Sequence, residues 1–257
     1  MINAHMPVHY DRFEFRRWIS FDAATIVETP VSLTVNGEPW ITFMCTPTDL
    51  EAMAVGFLFN EGLIEGKSEV VDVRLCDHGD NVDVWLNRTV DQPESWRRTS
   101  GCTGGVTAVD LMAKPDLALD AGGPTFAPEI IGALVEMLFD SQELYRETGG
   151  VHTSMLSDGE RLVVAAEDIG RHNTLDKIAG MCVMRGLWPA DRVLITTGRI
   201  SSEMLQKAAR LKAPILISRT SPSSLSVEMA QRYGITLIGY ARRQRFNVYT
   251  HPHRLGR

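Results

Sequence analysis

The chain has 257 residues, of which 44% are hydrophobic and 23% charged, a composition typical of a globular protein with one large or two small domains. Its net charge of −6 argues against a general nucleic-acid binder, and no apolar run approaches the roughly 18 residues that span a bilayer. The first residues, MINAHMPVHYDRFEFRRW, lack the apolar segment of a secretory signal. We therefore expect a cytoplasmic protein, not associated with membranes, whose four cysteines stay reduced.

The first hundred residues predict mostly strands. TIVETPVSLTVNG alternates and then reaches an Asn-Gly turn, with PWITFMCT as its hairpin partner. TPTDLEAMAVGFLFNEG predicts a helix that Thr48 or Asp49 caps and Gly62 ends. VVDVRLC and NVDVWLN flank DHGD and predict a second hairpin. A polar, glycine-rich loop over residues 88–105 follows, and then a linker, PDLALDAGGPTFAP.

The remaining residues predict alternating helices and strands. PEIIGALVEMLFDSQELYRETGG predicts one helix that begins at Pro128, carries Tyr145 on its apolar face and closes at Gly149 and Gly150. VHTSMLS and ERLVVAAE flank an Asp-Gly turn and predict a hairpin. RHNTLDKIAGMCVMRG predicts a helix ended by Gly186. Further strand–helix units follow, so we predict a largely parallel sheet covered by helices.

Charged and polar residues follow the carboxyl ends of four predicted strands, where open α/β sheets bind their ligands. They are Glu167, Asp168, Arg171 and His172; Thr197, Gly198 and Arg199; Arg219, Thr220 and Ser221; and Arg242, Arg243 and Arg245. Because guanidinium groups bind phosphate in a fork, this pattern favours an anionic ligand over ordinary surface charge. Within EDIGRHN, we prefer Asp168 as a helix cap paired with Arg171 over Asp168 as an acid–base group.

The four cysteines differ in their surroundings. Cys182 lies on an apolar helix stripe, and Cys45 and Cys76 end apolar strands, so we predict that all three are buried. Cys102 lies in TSGCTGGVTA, where glycines leave room for another molecule to approach the sulfur. Such a thiol can attack a carbonyl or carry sulfur as a persulfide, although a cysteine tolerated in a turn is the alternative. The spacing of cysteines and histidines predicts no metal site.

Several motifs together resemble the FdhD family, the formate dehydrogenase accessory sulfurtransferases. They are ETPVSLTVNG, TPTDLEAMAVGFLFNEGLI, TGGVH, EDIGRHNTLDKIAG, TTGRISSEM, and TSPSSLSVEMAQRYGITLIGYAR with RFNVYTHPHRL. The resemblance implies a small N-terminal α+β domain, residues 1–123, and a three-layer α/β domain similar to cytidine deaminases, residues 124–257. It also implies a homodimer. Although a deaminase-like fold is implied, the zinc-ligand pattern of deaminases is absent from this sequence.

The resemblance further implies a function. Family members accept sulfur from a cysteine desulfurase as a cysteine persulfide and deliver it to the molybdenum of bis-molybdopterin guanine dinucleotide, which formate dehydrogenase requires. The persulfide cysteine falls on Cys102. Many members have a second cysteine three residues later, where this chain has Gly105. The resemblance therefore implies a sulfur relay that uses one loop thiol.

The cofactor-binding residues expected from the resemblance form a segment near the C-terminus, and the strand-end arginines are expected to contribute. The set is Phe246, Asn247, Val248, Tyr249, Thr250 and His251, together with Arg199, Arg219 and Arg242. Guanine nucleotides such as GDP are expected to mimic the cofactor. Two alternatives remain at this point: a molybdenum-cofactor chaperone in which Cys102 is incidental, and a nucleotide hydrolase that uses Cys102 and His152.

Overall fold

The computed structural model describes residues 3–92, 97–98, 106–107, 117–119, 122–188 and 192–257. Its strands are β1 (His5–Glu14), β2 (Arg17–Ile26), β3 (Thr29–Val35), β4 (Glu38–Cys45), β5 (Val70–Leu75), β6 (Asn81–Leu86), β7 (Arg97–Arg98), β8 (Val106–Thr107), β9 (His152–Ser157), β10 (Leu162–Asp168), β11 (Val193–Thr196), β12 (Ile215–Ser218), β13 (Thr236–Arg242) and β14 (Arg245–Val248). Its helices are α1 (Leu50–Asn60), α2 (Ile130–Asp140), α3 (Leu144–Thr148), α4 (Arg171–Arg185), α5 (Ser202–Arg210) and α6 (Ser224–Tyr233).

The N-terminal half forms a four-stranded sheet in the order β4-β3-β6-β5. Both predicted hairpins are confirmed, and the Asn-Gly turn between β3 and β4 has φ of 51° at Asn36 and 85° at Gly37. The predicted strand TIVETPVSLTVNG is divided, because β2 ends at Ile26 and pairs with β1 instead of continuing into β3. The backbone N–H of Val27 donates to Ala4 O at 2.8 Å and closes that first hairpin.

The C-terminal half contains a six-stranded sheet in the order β10-β9-β11-β12-β13-β14. Only two of the five adjacent strand pairs, β11–β12 and β12–β13, are parallel, so the prediction of a largely parallel sheet is wrong. Hairpins at both ends of the sheet add antiparallel neighbours, since β9 and β10 form one hairpin and β13 and β14 form the other. Buried side chains of α4, α5 and α6 cover one face, and those of α2 cover the other, which confirms a three-layer α/β arrangement.

The predicted helix from Pro128 to Gly150 is two helices, α2 and α3. The carboxylate of Glu167, on β10, accepts hydrogen bonds from the backbone N–H groups of Glu143, Leu144 and Tyr145 at 2.7–3.1 Å. A carboxylate at this position accepts hydrogen bonds from the free amide groups at the start of α3. The helix therefore ends after α2, and a second helix begins. Tyr145 is 43% exposed, and its predicted place on the apolar face is wrong.

Helices α1 and α4 pack so closely that the two halves share one hydrophobic core. A Cβ atom at Gly56 would overlap the Asp176 carbonyl, and one at Gly180 would overlap the Ala52 carbonyl. Because Gly56 and Gly180 have no side chains, the backbones of α1 and α4 can come into direct contact. The predicted boundary between residues 123 and 124 stays a prediction.

The predicted side-chain cap of α1 is not formed. Asp49 occupies the N-cap position, but its backbone is left-handed, with φ of 49°, and its side chain makes no capping hydrogen bond. The carbonyl of Asp49 accepts from Met53 N at 2.8 Å instead. Gly62 has φ of 75° just after the helix, and Gly186 has φ of 68° at the end of α4, so both predicted stops are confirmed.

Candidate functional site

The carboxyl edge of the six-stranded sheet gathers the polar strand ends that the sequence predicts there. β10, β11, β12 and β13 all end at this edge, and the antiparallel strand β9 begins at it, with His152 paired to Asp168. The α4, α5 and α6 helices start from the same edge. Free N–H groups at helix starts and guanidinium groups on strand ends together favour a bound anion.

Arg219 and Arg242 form the best defined part of this edge. Nη1 of Arg242 donates to the carbonyl of Arg219 at 2.6 Å and to that of Ala241 at 2.8 Å. The guanidinium of Arg219 lies 4.4 Å from the ring centroid of Phe139. Burial, and then the charge of Arg242, lowers the pKa of Arg219. An anion at this position would relieve the crowding of two cations.

Three further arginines at the strand ends differ in their surroundings. Arg243 Nε lies 2.7 Å from Glu136 Oε1 of α2, so its charge is neutralised by the helix on the opposite face of the sheet. Arg245 and Arg199 are exposed. Arg243 therefore has an acidic partner on α2, and its contribution to a patch of strand-end arginines stays a prediction.

Within the EDIGRHN segment, Asp168 has a structural role. Asp168 is fully buried, accepts from Gly170 N at 2.7 Å and from Thr46 N at 3.0 Å, and lies 2.7 Å from Lys177 Nζ. Asp168 therefore pairs with Lys177, and the predicted pairing with Arg171 is wrong. The side chain of Lys177 extends from within α4 to Asp168. The side chain of Arg171 instead lies against Gly198, and a Cβ atom added to Gly198 would lie 2.8 Å from it.

Sequence reasoning missed two buried polar contacts between α4 and α5, in the first of which burial lowers the pKa of His172 and favours its neutral imidazole. His172 Nε2 lies 3.1 Å from Glu203 Oε2, and Lys207 Nζ lies 2.5 Å from Asp176 Oδ1. Burial is the largest single effect and opposes the charge of Lys207, but the carboxylates of Asp176, Glu61 and Glu203 together outweigh it and raise the pKa of Lys207. The sequence carries a signal for these contacts, because both helices have polar residues four positions apart, and such residues lie on one face of a helix.

His152 lies at the edge with its ring partly buried. Its Nδ1 atom is 3.3 Å from Thr197 Oγ1, which also accepts from Thr153 N at 3.0 Å. Burial, and then the nearby charge of Arg171, lowers the pKa of His152, so the neutral imidazole is favoured. A neutral ring at this place can exchange one hydrogen bond with a ligand without adding charge.

The C-terminal segment divides into buried and exposed side chains. Phe246 and Val248 pack against the core beneath α2. The hydroxyl of Thr250 is buried, donates to Ile235 O at 2.6 Å and accepts from Leu237 N at 3.0 Å. These three side chains hold the segment in place, and Asn247 and Tyr249 are left exposed.

The predicted cofactor-binding set extends along the sheet. Arg245 pairs with Arg242 at the carboxyl edge, whereas His251 approaches Gln231 O at 3.1 Å, near the end of α6. At about 3.3 Å per residue, six residues separate them by about 20 Å. The ring of Tyr249 lies beside Gly239, where a Cβ would come within 3.0 Å of both Tyr249 and Pro222. The site is therefore elongated, and its role in binding stays a prediction.

The cysteines fall into three environments. Cys45 and Cys182 are fully buried, as predicted, and burial raises their thiol pKa values to about 12 and about 11. Cys76 is only partly buried, and its Sγ lies 3.0 Å from Asp80 Oδ1 in the β5–β6 turn, so that prediction is wrong. Cys102 lies outside the described residues, in a stretch bracketed by the antiparallel pair β7 and β8.

Two features are absent from the described part of the chain. No group of three or more histidine, cysteine and acidic side chains there is arranged to hold a metal ion. No helix in those ranges is both long and apolar enough to cross a membrane.

Comparisons with known proteins agree with one another. The profile of the FdhD/NarQ family matches residues 26–256. The sulfur carrier proteins FdhD of Staphylococcus aureus strains MRSA252 and Newman are each 35% identical over 250 residues, covering 95% of this chain and 94% of the relative. A crystal structure from Desulfotalea psychrophila, assigned as a formate dehydrogenase accessory protein, superposes with a TM-score of 0.82 at 29% identity, covering 98% of this chain and all of that one.

The chain belongs to the FdhD/NarQ family, as its motifs indicate. Both the α+β and α/β fold class and the family resemblance are thereby confirmed.

Proposed function

We propose that this protein is a sulfur carrier that serves formate dehydrogenase. It accepts a sulfur atom on Cys102 from a cysteine desulfurase and passes it to the molybdenum of bis-molybdopterin guanine dinucleotide. The names of the relatives support the carrier role. The observation that supports Cys102 is the state of the other three thiols, because Cys45 and Cys182 are buried with raised pKa values and the partly buried Cys76 thiol donates to Asp80 Oδ1 in the β5–β6 turn. A thiol must ionise and be reached in order to take up sulfur.

The proposed reaction uses one thiol and balances at each step. The Cys102 thiolate attacks the outer sulfur of the desulfurase persulfide, the sulfur–sulfur bond breaks, and the desulfurase cysteine leaves as a thiolate. Cys102 then carries the persulfide. When the outer sulfur passes to a reduced molybdenum centre, it takes two electrons from the metal and leaves Cys102 as a thiolate. Gly105, in place of a second loop cysteine, is compatible with this relay because no intramolecular disulfide is required.

Mass spectrometry tests the first transfer directly. After incubation with a cysteine desulfurase and free cysteine, we expect the intact chain to gain the mass of one sulfur atom on the peptide that contains Cys102. Cys102→Ala should lose this gain, and Cys76→Ala should retain it, since Cys76 is the partly exposed thiol among those described. The relay is wrong if the wild-type chain gains no sulfur, or if the Cys102→Ala variant gains as much sulfur as the wild-type chain. Either result favours the cofactor-chaperone alternative.

We also propose that the carboxyl edge and the exposed face of the C-terminal segment bind the guanine nucleotide ends of the cofactor. Arg219 and Arg242 supply cations for a pyrophosphate, and the exposed ring of Tyr249 supplies a surface on which a base can stack. The length of the site suits a ligand that carries two nucleotide arms.

Replacing Arg219 or Arg242 with alanine is expected to weaken GDP binding about tenfold, the effect of losing one charge-assisted contact. Isothermal titration calorimetry at two salt concentrations measures this, and the salt dependence should become shallower in each variant. Arg243→Ala is the matched control, because Glu136 already neutralises that side chain. Affinities for GDP that are equal in all four proteins would remove the edge from the binding site.

A further inference from the structure

Arg219 rests on an aromatic ring at the carboxyl edge of the six-stranded sheet. It directly follows β12, and its Cζ atom lies over the ring of Phe139, 4.4 Å from the ring centroid. Arg243, on the next strand, has the carboxylate of Glu136 as its partner, but no ion pair joins Arg219 to a carboxylate of the described residues. The guanidinium of Arg219 is therefore held by an aromatic face.

A guanidinium group that lies over a ring keeps its hydrogen-bond donors for another partner. The group is planar and its N–H bonds lie in that plane, whereas the attraction to a ring acts through the ring face. A carboxylate partner would instead occupy the donors that bind phosphate. The contact with Phe139 thus fixes the position of the charge and leaves the donors of Arg219 open to a ligand.

Arg242, the second cation of this pair, is fixed by a different device. Its Nη1 atom donates to the carbonyls of Arg219 and Ala241, so the backbone holds it. The charge of Arg242, acting after burial, lowers the pKa of Arg219, which shows that the two cations repel each other. A long arginine side chain with a like charge beside it tends to turn away unless another contact holds it. The ring of Phe139 supplies that contact.

Phe139 owes its position to the break between α2 and α3. It lies in the last turn of α2, and just after that helix Gln142 Nε2 donates to Thr153 Oγ1 of β9 at 2.9 Å. The Thr153 hydroxyl donates in turn to Glu167 Oε1 at 3.2 Å, and the same carboxylate holds the start of α3. These buried contacts tie the end of α2 to the edge of the sheet, so the ring has a defined place.

Phe139 contributes little to the hydrophobic core. It is 37% exposed, whereas the core side chains of α2 are buried, namely Ile131, Leu134, Val135 and Leu138. A partly exposed ring at the end of a helix gains little from burial, and its close contact is with a cation instead. A change at this position therefore removes few packed atoms and tests the contact with Arg219 directly.

We propose that Phe139 is a positioning residue for ligand binding at the carboxyl edge. Its ring holds the Arg219 guanidinium near Arg242, so that both cations reach one pyrophosphate group of a nucleotide. The inference rests on the proposed binding of guanine nucleotides at this edge, and it adds a residue of α2 to a site otherwise built from strand ends and the C-terminal segment. Phe139 acts through Arg219 and needs no contact with the phosphate itself.

A double-mutant cycle tests whether Phe139 acts through Arg219. By isothermal titration calorimetry, Phe139→Leu should weaken GDP binding about fivefold, and Phe139→Tyr should bind as the wild type does, because a phenol ring also attracts a cation. In the Arg219→Ala background, Phe139→Leu should cause no further loss, since the group that it positions is gone. Inorganic pyrophosphate, which has no base, should show the same loss as GDP.

Trp188→Leu is the matched control. Trp188 is also 37% exposed and has a guanidinium over its ring, that of Arg192 at 5.3 Å. It follows the end of α4, whose 15 residues begin at the carboxyl edge and extend about 22 Å away from it. GDP binding by Trp188→Leu should therefore equal that of the wild type.

The possible outcomes separate this inference from the proposed function. Wild-type affinity for GDP in Phe139→Leu, or a further fivefold loss in the Arg219→Ala background, would overturn the positioning role alone. A loss for GDP without a loss for pyrophosphate would also overturn it, because the ring would then stack on the base. Unchanged GDP binding by Arg219→Ala itself would overturn both the positioning role and the part of Arg219 in the proposed site.

Discussion

Formate dehydrogenase activity is expected to fall to background, by roughly a hundredfold or more, when Cys102→Ala replaces the wild-type protein in cells that lack their own copy. Removing the sulfur atom removes the only position at which the proposed relay holds its cargo. Serine would not rescue the variant, since an alkoxide neither forms readily at neutral pH nor carries sulfane sulfur. The measurement is formate oxidation in extracts with matched amounts of dehydrogenase and of the variant protein.

The controls for this experiment separate transfer from binding. Cys76→Ala and Cys182→Ala should retain activity, because one thiol bonds to Asp80 in a turn and the other is buried in the core. Cys102→Ala should bind GDP as the wild-type protein does. Full activation by Cys102→Ala would contradict the relay and would favour a chaperone that protects or presents the cofactor.

Local chemistry in the sequence predicts much of the fold. The glycine stops of α1 and α4, the Asn-Gly turn and the hairpin of β9 and β10 depend on a few adjacent residues, and each is confirmed. The strand-end rule also places Arg219 and Arg242 together, because neighbouring parallel strands end at one edge. Predictions that follow from short-range geometry therefore hold.

Predictions fail where a distant partner decides the outcome. The break between α2 and α3 depends on Glu167, which reaches it from β10, and the pairing of Arg243 depends on Glu136 of α2. Asp168 is paired by Lys177 and by the backbone of Thr46, which lies far away in the N-terminal half. None of these partners is visible from local sequence spacing. Packing within the C-terminal half brings Glu167 and Glu136 to their partners, and packing of the two halves brings Thr46 to Asp168.

Lys177→Met is expected to lower the free energy of unfolding by about 3–5 kcal/mol, the cost of leaving a buried charge unpaired. Lys177 and Asp168 are both fully buried, with Nζ 2.7 Å from Oδ2. Nζ also donates to Thr46 O and Glu167 O, each at 3.1 Å, and to Thr48 Oγ1 at 3.0 Å. One ammonium group therefore joins the β4–α1 connection to β10, and losing it removes a donor from three acceptors and removes the cation that compensates the Asp168 carboxylate.

Urea unfolding of the wild type and variants measures this cost. Arg232→Met is the matched control, because its exposed pair with Glu228 should contribute less than about 1 kcal/mol. Adding Asp168→Asn to Lys177→Met should recover at least about 1 kcal/mol, since the second change removes the uncompensated charge. Because the two halves share a core, we expect one cooperative transition in every variant that folds. A cost below about 1 kcal/mol for Lys177→Met would show that the two halves are held together by helix packing at Gly56 and Gly180, without help from the buried ion pair.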